Sequence, residues 1–196
     1  MLVLLDTNAY LRLAKRVRPV VGIKFGQKDY VLTIHKSVED EVRKNPRLKA
    51  KYPWFDADEF AGERLAKQVR LTEDDKQSIL AAQSVLRGWV LSDVDRYTSG
   101  GRSPPGQTDC WLLALGQVKP AIVVTDDLGM HELAKDFSIT VWHGYELLDK
   151  LRSAKVVDRA LIQDIYEALE ANGDMTKSWA DAKHTVFEKI FGRKPE

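Results

Sequence analysis

A single cysteine, Cys110, stands in 196 residues. It excludes an intramolecular disulfide and any site built from several thiolates. An excess of charge is equally missing: 30 Lys and Arg face 29 Asp and Glu, for a formal net charge of +1. A globally basic nucleic-acid coat is therefore excluded, although a local basic patch is not. No run approaches the roughly 20 apolar residues needed to span a membrane, so no membrane partner is expected. The apolar start, MLVLL, is cut short by Asp6, and no basic flank or cleavage site accompanies it. Together these absences read as a protein of a reducing, cytoplasmic compartment. Internal repeats and low-complexity tracts are lacking too. The four histidines, His35, His131, His143 and His184, fall at no metal-ligand spacing.

What is present is the pattern of an α/β domain. Five short apolar or β-branched runs read as strands: Leu2 to Leu5, Tyr30 to Ile34, Trp89 to Leu91, Ala121 to Thr125 and Ser138 to Val141. None alternates strictly, which fits strands covered on both faces in a mostly parallel sheet. Helical periodicity separates them. One helix covers EDDKQSILAAQSVLRG, with Gly88 as its terminator; another covers DCWLLALG, with Thr108 as its N-cap; a third runs from Leu128 to Asp136. Residues 45–70, with two prolines and the aromatics Tyr52, Trp54 and Phe55, read as an insertion on one face of the sheet. Residues 96–107 carry Gly100, Gly101, Gly106, Pro104 and Pro105 and read as an irregular loop. Beyond residue 150, two amphipathic helices follow, one through Val157, Leu161, Ile165 and Leu169, the other through Trp179, Ala182 and Phe187. The expected organisation is a three-layer domain over 1–150 and a helical extension over 151–196. The extension packs on that domain or on a second copy of the chain, so a homodimer is among the expectations.

The carboxylates carry the chemistry. Asp6 ends the first apolar run, and Asp126 and Asp127 end the fourth. The carboxyl ends of parallel strands share one edge, where ligand sites form. Glu39 and Glu41 fall early in the helix after the second strand, and Asp109 opens the helix after the glycine-rich loop. Gathered carboxylates repel one another and need compensation. An oxygen-rich set without thiolates suits Mg²⁺ or Mn²⁺ better than Zn²⁺. Such an ion can orient an attacking water and stabilise a phosphoryl transition state, which predicts phosphodiester hydrolysis without a covalent enzyme intermediate.

The segments LLDTNAYL, KSVEDEV, TDCWLLALG and VVTDDLGMHELAKDFSITVWHGYELLDKL, taken in order, resemble the motifs of the PIN domain family. That family comprises metal-dependent nucleases, many of them endoribonuclease toxins of toxin–antitoxin pairs. The resemblance covers residues 1–150. It implies a PIN-like fold and a metal site of Asp6, Glu41, Asp109 and Asp127, with Glu39 the close alternative to Glu41. It also implies Asn8 and Thr125 as polar supports, an RNA substrate, and an antitoxin partner for a toxin member. The insertion and the tail depart from the small toxins. Two readings from other classes stand beside the endoribonuclease: a nucleic-acid-binding or assembly protein with little turnover, and a structure-specific DNA nuclease.

Each of these residues also has a plainer use. Asp6 and Asp127 suit helix N-caps, Glu39 and Asp40 suit a solvated first turn, and Asp126 suits a turn or a supporting contact. The basic stretch Arg12 to Lys28 holds six Lys or Arg and no acid. It could line a phosphate track or form a solvated face, and Arg102 could contact phosphate. Tyr52, Trp54 and Phe55 read as a small packing core sooner than a base-stacking surface. Trp179 and Phe187 read as packing, and Cys110 as buried.

Overall fold

The computed structural model describes residues 1–98 and 103–194. Its first half is β1 (Leu2–Leu5), α1 (Thr7–Leu13), β2 (Lys24–Phe25), β3 (Tyr30–Thr33), α2 (Lys36–Lys44) and α3 (Pro46–Lys51). A 3-10 turn at Pro53–Asp56 leads to α4 (Asp58–Lys67), α5 (Glu73–Ser92) and α6 (Val94–Tyr97). Then come α7 (Gln107–Val118), β4 (Ile122–Val124), α8 (Leu128–Asp136), β5 (Val141–Trp142), α9 (Gly144–Ser153), α10 (Arg159–Ala171), α11 (Lys177–His184) and α12 (Glu188–Phe191).

The sheet order is β2-β3-β1-β4-β5. β1 lies parallel between β3 and β4, β5 is parallel to β4, and only β2 runs antiparallel. Side chains alternate across β1 and feed two cores. Val3 and Leu5 join one cluster with α1, α9 and α10, whereas Leu4 joins the other with α5, α7 and α8. The fold is thus a mostly parallel α/β sheet with helices on both faces. Because the chain leaves β1 for neighbours on both sides, the carboxyl end of β1 is a switch point where a crevice opens.

The structure revises several local expectations. Trp89 to Leu91 is the last turn of α5, not a strand. The buried positions Ile79, Gln83, Leu86 and Val90 keep helical spacing through Gly88, while Trp89 and Leu91 are exposed. Gly88 terminates nothing, because α5 runs on to Ser92. The last strand is Val141–Trp142; Ser138 has φ 54°, which no strand residue adopts. Thr108 is not a cap: α7 starts at Gln107, and the Asp109 side chain accepts the Gly106 N–H at 2.8 Å. The short strand β2, pairing with β3 as a hairpin, had no signal strong enough to predict it.

The tail belongs to the core. Ile162, Ile165, Tyr166, Leu169, Trp179 and Phe187 lie in the cluster that holds Val3, Leu5 and Tyr10. Residue 150 falls inside α9. The insertion packs by its aromatics: Phe55 is buried and meets Tyr10 edge-on at 5.9 Å. Trp179 is fully buried and its indole N–H donates to Asp126 at 2.8 Å. Trp179→Phe keeps most of the apolar volume but removes that donor. It should cost about 1–3 kcal/mol in urea unfolding; a loss below a few tenths would show the bond to be dispensable.

Candidate active site

The register of β1 on β4 sets the site. Leu5 lies opposite Val124, so Asp6 and Thr125 emerge level at the sheet edge, and the Asp6 N–H donates to the Val124 carbonyl at 3.0 Å. Asp6 then caps α1, accepting the Ala9 N–H at 2.5 Å. Asp127 caps α8 in the same way, accepting the Met130 N–H at 2.9 Å. Capping and site membership are therefore compatible, because a carboxylate has two oxygens.

Asp6, Glu41 and Asp109 line one small cavity of about 30 Å³, together with Thr7, Asn8, Ser37 and Thr108. The Thr7 hydroxyl donates to Glu41 at 2.6 Å and fixes that side chain. Thr7 was missed in the sequence reading, although it follows Asp6 directly. Asp127 does not line the cavity, but its charge reaches Asp109. Thr125 supports the turn, accepting the Asp127 N–H at 3.2 Å. Asn8 lines the cavity wall.

The electrostatics are those of crowded, desolvated acids. Burial pushes the Asp6 carboxyl up to about 7; Thr125 and Ala9 pull it down, and Asp126 pushes it up further. Asp109 is also raised, first by burial and then by the charges of Asp127 and Glu41. Such a group favours a proton or a cation beside it. Asp126 behaves oppositely. Burial would raise it, but His143, Arg12, Trp179 and the Gly144 N–H outweigh that and hold it low. It forms an ion pair with Arg12 and accepts from Gly144 at 3.0 Å. Its oxygens are thus engaged by Arg12, Gly144 and Trp179.

The two glutamates on α2 divide sharply. Glu39 is buried and pairs with the fully buried Arg64 of α4 at 2.7 Å. Glu41 is exposed at the cavity mouth. Three of the six cations of the basic stretch are paired: Arg12 with Asp126, Arg16 with Asp164, and Arg18 with Glu59 and Glu63. Arg102 lies outside the described residues. Cys110 is buried, as expected.

The donor set of the cavity is all oxygen, which suits a hard divalent cation. Among the described residues, no three His, Cys, Asp or Glu side chains converge tightly enough to hold one metal ion by themselves. Mg²⁺ does not need three such ligands, since it binds through one or two carboxylates and keeps several waters. One or two of the carboxylates Asp6, Glu41 and Asp109 could hold it in that manner, with Asp127 adding charge beside Asp109.

No family model matches the chain, and no curated protein matches it. Among solved structures, the crystal structure of FitAcB from Neisseria gonorrhoeae is similar at a TM-score of 0.46 and 14% identity, over 73% of this chain and 98% of that one. So distant a likeness carries no argument about activity. Among the described residues, no helix is long and apolar enough to cross a membrane.

Two outcomes test this geometry. Glu39→Gln removes the charge opposing a buried guanidinium and should lower stability by about 3 kcal/mol. Glu41→Gln, at the surface, should change it by about 0.5 kcal/mol or less. Equal losses in denaturant titrations would undo the division. For Asp6, a folded-state pKa raised above the unfolded one favours the fold at low pH, and that advantage is lost as pH rises through the folded value. Asp6→Asn keeps the cap and does not titrate. Its melting temperature relative to the parent should therefore climb between pH 3.8 and about 7, then level off, in metal-free buffer. A constant difference across that window would show Asp6 to be unperturbed.

Proposed function

We propose that the protein is a Mg²⁺- or Mn²⁺-dependent endoribonuclease. The observation that carries the reading is the small cavity at the switch point of the sheet, which Asp6, Glu41 and Asp109 line. The PIN-like order of the sequence motifs supports the same set. One or two of Asp6, Glu41 and Asp109 would hold the ion, the rest of its shell being water, with the charge of Asp127 near Asp109. When bound, the ion would activate water and offset charge on the phosphoryl oxygens. The residues of the chain do the positioning. Thr7 holds Glu41, the Gly106 N–H holds Asp109, and the N-terminus of α1 holds Asp6. No cysteine or histidine stands in the cavity wall to act as a nucleophile.

The family resemblance extends the proposal to a toxin restrained by an antitoxin. Growth arrest on expression, relieved by the product of a neighbouring gene, supports that extension; unimpeded growth with active protein removes it. An assembly role or a homodimer has its own observation: the exposed side of α5 presents Leu80, Val85, Trp89 and Leu91. A monomer at high concentration in sedimentation would dismiss it.

The direct test is cleavage of labelled RNA and of DNA of matching sequence, with Mg²⁺ or Mn²⁺ added back after chelation. Asp6→Asn and Asp109→Asn, each shown to be folded, should lower the RNA rate by about 100-fold, the scale of losing one preorganised electrostatic group. Full metal-dependent activity in both variants would place the centre elsewhere. Preferential DNA cleavage would move the reading to a DNA nuclease.

A further inference from the structure

The acidic cavity is the narrow end of a longer depression. It shares Ser37, Glu41 and Thr108 with a rim of about 480 Å³. Ser37 and Thr108 also line a groove of about 750 Å³ between α2, α5 and α7. That groove is far larger than a single ion or water needs, and nothing described so far uses it.

Its lining has a specific character. The rings of His35 and Trp111 lie against each other with centroids 3.9 Å apart and planes tilted by 32°, and both residues line the groove. His35 is held in place because its Nδ1 accepts the Ser37 N–H at 3.1 Å. Burial lowers the His35 pKa to about 4, so the ring is neutral at pH 7. This uncharged aromatic pair gives the groove π surface of the kind on which unpaired bases stack.

Lysines flank it. Lys36, Lys44 and Lys76 line the groove against one carboxylate, Asp40. Of the three, only Lys76 is paired among the described residues, with Glu73. Lys36 is the first residue of α2, where the helix dipole disfavours a cation. Its charge does not serve the helix, but it suits a bound anion. Gln68, Gln83 and Gln107 add neutral donors and acceptors at the wall.

We propose that this groove holds the single-stranded RNA next to the scissile phosphate, with an unpaired base against Trp111 and His35 and neighbouring phosphates against Lys36 and Lys44. The proposal rests on the nuclease reading for what lies at the narrow end, but its own content is binding. A duplex would not fit the chemistry, since its bases present no free face.

Binding is measured by fluorescence anisotropy with a short, unstructured, fluorescein-labelled RNA in EDTA, so that cleavage plays no part. Trp111→Leu should weaken binding about tenfold, and Trp111→Phe should restore most of it. Lys36→Gln with Lys44→Gln, both at exposed helix ends, should reduce the salt dependence of log K by about 1.4, two single-strand phosphate contacts. If Trp111→Leu fails to fold, the lysine pair carries the test. Unchanged affinity and salt slope in the variants overturns the groove, as does no binding by the parent protein. Equal binding of the duplex overturns the stacking, and tighter binding of single-stranded DNA overturns the choice of RNA. Metal-dependent cleavage alongside unchanged affinity in the groove variants removes the groove and leaves the nuclease. Weakened binding in the variants, with no cleavage by the parent, leaves the groove and removes the nuclease.

Discussion

The arrangement depends on one buried charge, the carboxylate of Asp126. It stands at the end of β4, where water is excluded, and an ion there is tolerated only if its oxygens are fully engaged. Three elements engage them. Arg12 reaches it from α1, the Gly144 N–H from the start of α9, and the Trp179 indole from α11. A side chain at Gly144 would collide with Trp179, since a Cβ there would lie 2.7 Å from the indole, so glycine is what lets both donors approach. Removing any one donor leaves a buried charge short of a partner. This ties a helix on one side of the sheet, the last βα connection and the tail to a single point beside the candidate site.

The site carboxylates follow a second constraint, the start of a helix. Asp6, Asp109 and Asp127 each give one oxygen to a backbone N–H at a helix N-terminus. That contact fixes the side chain, and the positive end of the helix dipole offsets part of its charge. The other oxygen is left for other work. A carboxylate placed in this way is rigid before anything binds, which a surface acid in mid-helix is not. Glu41 lacks a helix start of its own and is held by the Thr7 hydroxyl.

The parts of the sequence that could be read were those where local pattern and tertiary role coincide. β1 and β4 were legible because both faces are buried and both runs end in acids. α8 was legible because its periodicity and its cap agree. The Trp89 to Leu91 run was misread because three consecutive apolar residues look alike in a buried strand and at a helix end, where only Val90 faces inward. Glu39 and Glu41 could not be separated by spacing from the strand. The difference lies in Arg64, 25 residues away, which no local pattern connects to α2. The same holds for Asp126, whose indole donor is 53 residues distant.

These two distant partners tie the insertion and the tail to the neighbourhood of the candidate site. Arg64 belongs to the insertion and pairs with Glu39, two positions before Glu41. Trp179 belongs to the tail and bonds Asp126, one position before Asp127. In each case an added element supplies a donor to an acid close in sequence to a candidate site acid. Residues two apart on a helix point to nearly opposite sides. Locking Glu39 inward against Arg64 therefore sets the rotation of α2 that carries Glu41 to the cavity. On the other side, securing Asp126 fixes the turn from which Asp127 caps α8. The additions to the sheet thus act on the site from two directions, each by burying a neighbouring charge with its partner, and neither contributes a residue to the acidic cavity.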